Sequence, residues 1–280
     1  MIHTLAGTGE RGFDGDGGPA VRAQLSSPSG LAADRAGNLY VADLYNYRIR
    51  RIDSSGMITT IAGTGQREHS GDGGKATEAS LQGPSSLAFD RSGNLYIAGY
   101  YEHRVRRIDP DGIITTVAGT GKQGDRGDGG PTVEALLDGP SGLATDRDGN
   151  LFVSDWGNHR VRKIDRAGVI TTVAGIGSIG SRGDRGPAVL AQLFHPDGLA
   201  ADRARNIYVG DGGNHCVRRI DRAGFITTVA GTGEMGNSGD GGPASEALLY
   251  APEALAVDRD GFVLVADHSN HNVRINLLAS

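Results

Sequence analysis

Short runs of aromatic and β-branched residues, each cut off by a turn-forming cluster, set the rhythm of this chain. Residues 140–146 form one such β-type run. Arg147-Asp148-Gly149-Asn150 then supplies turn chemistry, because Gly and Asn tolerate positive φ. Residues 151–155 (Leu-Phe-Val-Ser-Asp) are rich in the side chains that favour a pleated, half-buried surface and predict a second strand. A loop at Trp156-Gly157-Asn158 leads to a third strand over residues 159–165. A turn at Arg166-Ala167-Gly168 then leads to a fourth over 169–173. The pattern predicts four short antiparallel strands in succession.

That unit returns every 56 residues. Ala118-Gly119-Thr120-Gly121 marks the period, and the same four positions are residues 6–9, 62–65, 174–177 (Ile176 replacing Thr) and 230–233. Five intervals of 56 account for all 280 residues without insertion or deletion. A fixed period makes each repeat one supersecondary block whose core is completed by its neighbours. Four antiparallel strands per block, radially repeated, predict an all-β, five-bladed β-propeller. The chain reads as a single domain over residues 1–280, with repeats at 1–56, 57–112, 113–168, 169–224 and 225–280.

The residues Pro140-Ser141-Gly142-Leu143-Ala144, Gly149-Asn150-Leu151-Phe152-Val153-Ser154-Asp155 and Asn158-His159-Arg160-Val161, repeated along the whole chain, resemble the NHL repeat family. The resemblance implies a propeller, and propellers host unrelated functions. Family propellers commonly have six blades, whereas five repeats here imply five. The last repeat stops after its third strand, and residues 1–5 align with the fourth strands. The N-terminal segment is therefore expected to complete the last blade and remove the open edge. Before each first strand lies an insert such as residues 127–137, where Pro131 followed by Ala and Leu suggests a helix of one or two turns.

Composition narrows the function classes. The 46 Gly residues follow the period, which argues against disorder. Net charge is −5, giving no bias toward nucleic acid or an anionic membrane. The single Cys216 excludes an intrachain disulfide and a thiolate metal cluster. No run approaches the roughly 18 apolar residues of a membrane span. Met1 leads straight into repeat sequence, so a cytoplasmic chain is expected.

In an up-and-down blade the inserts, the loops between strands two and three, and the Pro-Ser-Gly starts of strand one share one face. Residues common to all copies serve the fold, and departures from the internal consensus are the functional candidates. Pro28-Ser29, Pro84-Ser85 and Pro140-Ser141 become Pro196-Asp197 and Pro252-Glu253. Two carboxylates from adjacent blades within mutual reach would raise one pKa and suit acid–base work. His195 beside Asp197 could titrate near neutrality. Asp197, Glu253 and His195 are thus the catalytic candidates. The ligand-binding candidates are Phe194, Tyr250, Tyr45, Tyr100, Tyr101, Glu102, Trp156 and His268. Aromatics facing carboxylates suit an apolar or cationic small molecule.

Shared polar residues read as structural. Asp43, Asp155, Asp211 and Asp267, with Asn46, Asn158, Asn214 and Asn270, are expected to close loops by bonding backbone. His103, His159, His215 and His271 share a register too widely separated for one metal ion. Asp16, Asp72, Asp128, Asp184 and Asp240 read as turn or helix-start residues. The third-strand Arg residues read as lateral partners of Asp53, Asp109, Asp165 and Asp221. The family includes a zinc-dependent lyase with channel histidines near the strand starts, positions held here by Ser29, Ser85, Ser141, Asp197 and Glu253.

The sequence therefore points to a small-molecule enzyme with acid–base chemistry of lyase, hydrolase, isomerase or cyclase type, without metal or cofactor. The alternative is a non-catalytic scaffold recognising a protein or ligand, with RNA binding ranked last. Deleting residues 1–9 is expected to lower the melting temperature far more than trimming a loose terminus; an unchanged cooperative melt would refute the closing strand.

Overall fold

The computed structural model describes residues 3–276. The fold class is an all-β, five-bladed β-propeller built of antiparallel blades. Blade one comprises Pro28–Ala33, Leu39–Asp43, Arg48–Ile52 and Ile58–Ala62. Blade two comprises Pro84–Phe89, Leu95–Gly99, Arg104–Ile108 and Ile114–Ala118. Blade three comprises Pro140–Thr145, Leu151–Asp155, Arg160–Ile164 and Ile170–Ala174. Blade four comprises Pro196–Ala201, Ile207–Asp211, Cys216–Ile220 and Ile226–Ala230. Blade five shows Pro252–Val257, Val263–Asp267 and Asn272–Asn276. Of the expected closing strand, residues 3–5 form no strand, and residues 1–2 and 277–280 lie outside the described residues.

The chain divides into two compact units, residues 1–122 and 123–280. In the first, blades one and two share a core of Ala42, Ile49, Ala62, Leu81, Leu87 and Ile97. In the second, Phe152 and Val161 of blade three pack with Leu193, Leu199 and Val209 of blade four. Tyr208 and Val217 pack with Leu249 and Val265 one blade further on. Middle strands are therefore covered on both faces, and all five residues of Leu151–Asp155 are buried. First strands approach so closely that a Cβ on Gly142 or Gly198 would meet the carbonyl of Asp197 or Glu253 in the next blade. This close approach explains the glycine at this position in blades one, three and four, Gly30, Gly142 and Gly198.

The inserts contain one three-residue 3₁₀ turn each, as at Thr132–Glu134, in place of the expected longer helix. Pro131 stands outside the turn at φ −61, ψ 133, and Ala135 returns to extended backbone. Extension is enforced by pairing: Gly129 N donates to Ile170 O, and Ile170 N to Gly130 O. The insert thereby covers part of the edge of the fourth strand.

The largest fully buried side chains are not apolar but Arg50, Arg106, Arg162 and Arg218. Arg162 bridges Asp128 of the insert at 2.7 Å and Asp155 of strand two at 3.1 Å. Arg50 joins Asp16 and Asp43, Arg218 joins Asp184 and Asp211, and Arg274 joins Asp240 and Asp267. The insert aspartates stand in turns, as expected, and are ion-pair partners as well. At Asp128 burial pushes the pKa up, but the Thr172 hydroxyl and Arg162 outweigh it and hold the carboxyl below its usual range. Asp53 and its equivalents, expected beside those arginines, instead close the turn before strand four. Asp53 Oδ1 accepts from Ser55 N and Met57 N.

The strand-two aspartates close loops as expected. Asp155 Oδ1 accepts from Asp138 N at 2.7 Å, and Asn158 Nδ2 donates to Gly124 O. Burial lifts Asp155 to about 6, held there against its amide, Asn158 and Arg162 donors, so it is ionised at neutral pH. Removing one member of such a buried pair strands the other charge. Arg162→Ala is expected to cost about 3–5 kcal/mol in denaturant unfolding followed through Trp156, the chain's one tryptophan. A loss near zero would remove the ion pair from its structural role.

Candidate functional site

Strand-one starts are bonded across the seams between blades. Ser29 Oγ donates to Pro84 O at 3.1 Å, and Ser141 Oγ to Pro196 O at 3.4 Å. In blade four Asp197 takes the serine's place. The equivalent acceptor is Pro252 O, toward which a carboxyl has a proton to offer only when neutral. Asp197 is half-buried, and its pKa is pushed up to about 7. Loss of water is the largest cause, the charge of Glu253 adds to it, and a bond with Ser141 opposes it.

Glu253 holds the same register in blade five. Its side chain keeps 46% of its exposure, yet desolvation on its covered side raises its pKa against the pull of His268. His268 Nδ1 lies 3.2 Å from Glu253 Oε1. The two carboxyls feel each other, so their protons leave in steps that belong to the pair.

His195 turns toward blade three. It sits in the left-handed region at φ 50, and its backbone N donates to His159 Nδ1 at 3.2 Å. Its ring stacks on Trp156 at 3.6 Å and 3°, with Phe194 at 4.6 Å and His159 at 4.8 Å. Burial, then the nearby His159, lowers the His195 pKa, and burial lowers that of His159. Trp156 therefore stacks on a residue two positions before Asp197, in the same unit as the carboxyls.

The next seam repeats the pattern: Ala251 N donates to His215 Nδ1 at 3.3 Å, and Tyr250 packs edge-on to His215 at 5.4 Å. At these two seams the shared histidine register is an acceptor for the following blade. Among the described residues no three His, Cys, Asp or Glu side chains converge as a metal cluster.

Tyr45, Tyr100, Tyr101 and Glu102 belong to the first unit. Tyr45 and Tyr101 are exposed, and Tyr100 and Tyr101 meet edge to face at 5.1 Å. Glu102 is 3% exposed. Its carboxylate accepts from Gln82 N and from His69 Nδ1. It stands where the other blades have Asn, while Gly99 stands where they have Asp. A Cβ on Gly99 would fall 2.9 Å from Glu102 Cβ. The carboxylate has moved three residues along the chain and still caps the same loop.

Two contributors escape the sequence reading. Ser141 bonds Asp197 but belongs to the shared Pro-Ser start, so the internal consensus hides it. Ser154, fully buried, donates its hydroxyl to Asp197 O. Other copies have Ala42, Ala98, Gly210 and Ala266, so the same consensus rule would have found it.

Repeated blades with seam-borne polar groups define a propeller of NHL type. A profile for the Teneurin NHL domain matches residues 3–67 and 64–125, and one for the NHL repeat matches 137–164 and 249–275. The chain belongs to the NHL-repeat β-propeller family. NHL repeat-containing protein 2 of Bos taurus is 30% identical over 90% of this chain, which spans only 39% of that relative. Virginiamycin B lyase from Staphylococcus aureus superposes with TM-score 0.55 at 14% identity, over 91% of this chain and 71% of that one. A chain of the nidogen/laminin complex superposes at 0.62 and 18%, over 90% and 76%. These two share the fold.

With a folded pKa near 7 against 3.8 unfolded, the Asp197 contribution to stability is complete below about pH 4. It is lost as pH rises through 7. Asp197→Asn is therefore expected to match the parent's melting temperature near pH 4 and to exceed it at pH 8 by about 5–10 °C. A difference independent of pH would mean that Asp197 does not titrate in this window.

Proposed function

We propose that this propeller binds a small polar molecule at the start of the first strands of blades four and five and acts on it by acid–base chemistry. The observation that carries this reading is the coupled pair itself: Asp197 keeps its proton to about pH 7 while Glu253 perturbs it. Asp197 gives a proton to the leaving or carbonyl oxygen. Glu253, set against His268 at 3.2 Å, accepts one from water or from carbon. Ser141 and the Ser154–Asp197 carbonyl bond hold the acid in place. Lyase, hydrolase and isomerase reactions of hydroxylated or ester-bearing molecules fit that pair.

A second reading rests on Tyr45 and Tyr101 of the first unit, which are 47% and 39% exposed. Exposed tyrosines on loops suit a protein-recognition surface, as does the likeness to a chain of the nidogen/laminin complex. Membrane insertion is no part of either reading: no described helix is long and apolar enough to cross a bilayer.

The test is a panel of δ-lactones and aryl esters assayed from pH 5 to 9. Turnover is expected to follow a bell-shaped profile, and Asp197→Asn and Glu253→Gln to lower it by about 10²-fold or more with unchanged folding. Absence of turnover across the panel, with partner capture lost on Tyr45→Ala and Tyr101→Ala, would replace this reading with the second.

A further inference from the structure

One strand-three position is treated differently in blade four. Arg48, Arg104 and Arg160 open that strand in blades one to three, and Cys216 opens it in blade four. In the first three blades the guanidinium folds back over the exit of strand four. Arg48 donates to Asn46 O at 3.0 Å and to Thr64 O at 2.7 Å. Arg104 donates to Thr120 O, and Arg160 to Ile176 O at 3.1 Å. A Cβ on Gly65, Gly121 or Gly177 would lie within 2.8 Å of that guanidinium. On Gly233 the nearest heavy atom would be Asn214 O, 3.8 Å away.

The insert residue opposite this position changes with it. Phe13 lies under Arg48 at 3.7 Å, and Asp125 lies 3.6 Å from Arg160. Asn237 accepts from Asn272 at 3.0 Å in blade five. In blade four the corresponding residue is Ser181, so both sides are small. Between them opens a cleft of about 600 Å³, lined by Asn214, Cys216, Thr232, Gly233, Glu234 and Met235 among others. Asn214 and Thr232 carry the carbonyls equivalent to those that receive the Arg48 guanidinium.

We propose that this cleft binds an alkyl guanidinium from outside the chain, in the place where three sister blades hold their own. The guanidinium donates to Asn214 O and Thr232 O. Its alkyl stem lies along Met235 and Cys216, and Glu234 and Asp184 supply negative charge. The one cation in the lining, Arg218, is matched by Asp184 at 2.9 Å and Asp211 at 3.3 Å. Its counterparts Arg50, Arg106 and Arg162 share the same strands with Arg48, Arg104 and Arg160, so a second guanidinium beside it repeats an arrangement already present. Cys216 is 4% exposed, and burial pushes its thiol up, so it serves as a small apolar wall.

The experiment is an amide-resolved NMR titration of the whole chain with agmatine, with an acetyl-arginine amide peptide, and with butylamine and urea as controls. Agmatine or the peptide is expected to shift the Asn214, Thr232 and Gly233 resonances saturably, with a dissociation constant on the order of millimolar. Butylamine is expected to bind at least about tenfold more weakly, because it lacks the planar fork. Urea, which lacks the charge, is expected not to bind. Agmatine alone would identify a free guanidino compound as the ligand, and equal binding of both an arginine side chain. Cys216→Arg is expected to fold, as three sister blades do, and to abolish binding; Glu234→Gln, on the exposed rim, is expected to weaken it about three- to tenfold. Equal shifts by butylamine and agmatine, or unchanged binding in both variants, would overturn the proposal.

Discussion

The arginine buried in the middle of strand three is the constraint on which each blade depends. A guanidinium at 0% or 1% exposure needs its charge matched and its donors occupied, or the blade would not close. Asp128 and Asp155 do this for Arg162 from two segments that do not otherwise pair, the insert and strand two. The ion pair therefore fixes where the insert lies. The insert in turn buries Leu137 and covers the strand-four edge. Loop capping by Asp155 and Asn158 extends the same network to the start of strand one, so one charge cluster orders every segment on the loop-bearing face of a blade.

Within the second unit, the candidate site depends on that order without belonging to it. Asp211 and Asp267 are spent on structure, receiving the Phe194 and Tyr250 amides at 2.8 and 2.6 Å. Asp197 and Glu253 sit just beyond those capped residues, at positions where the fold asks only for a serine hydroxyl. Placing carboxyls there exchanges a neutral seam bond for a pair of interacting charges. The raised pKa of Asp197 is the direct trace of that exchange.

Much of the architecture was legible because the 56-residue period sets five copies side by side. Strand limits agree with the pattern to within a residue or two; His159, expected to open strand three, instead takes φ 54 to close the preceding 3₁₀ turn. The insert was misread because Pro131 looks like a first helical residue, whereas ladder bonds to strand four hold its flanks extended. The arginine partners were misassigned because several aspartates recur with the same period, and only burial decides among them. Departure from the repeat singled out Asp197 and Glu253 as candidates, because the change from serine to carboxyl is visible in the residue itself. It could not separate them from Glu102, where a departure at Gly99 is compensated within the same loop. Contacts across a seam, such as His195 with His159, join residues 36 apart and leave no local pattern.

The seam bonds carry a consequence for how the molecule opens. Ser29 reaches Pro84 and Ser141 reaches Pro196 across 55 residues, and the insert-to-arginine bonds span 34. Among the described residues these bonds join a blade to its own insert or to the adjacent repeat. Folding energy in such a chain is a sum of short-range steps, and loss of one blade's contacts need not propagate beyond the next. The chain can therefore acquire its order one repeat at a time as it leaves the ribosome, each new blade templated by the one already in place.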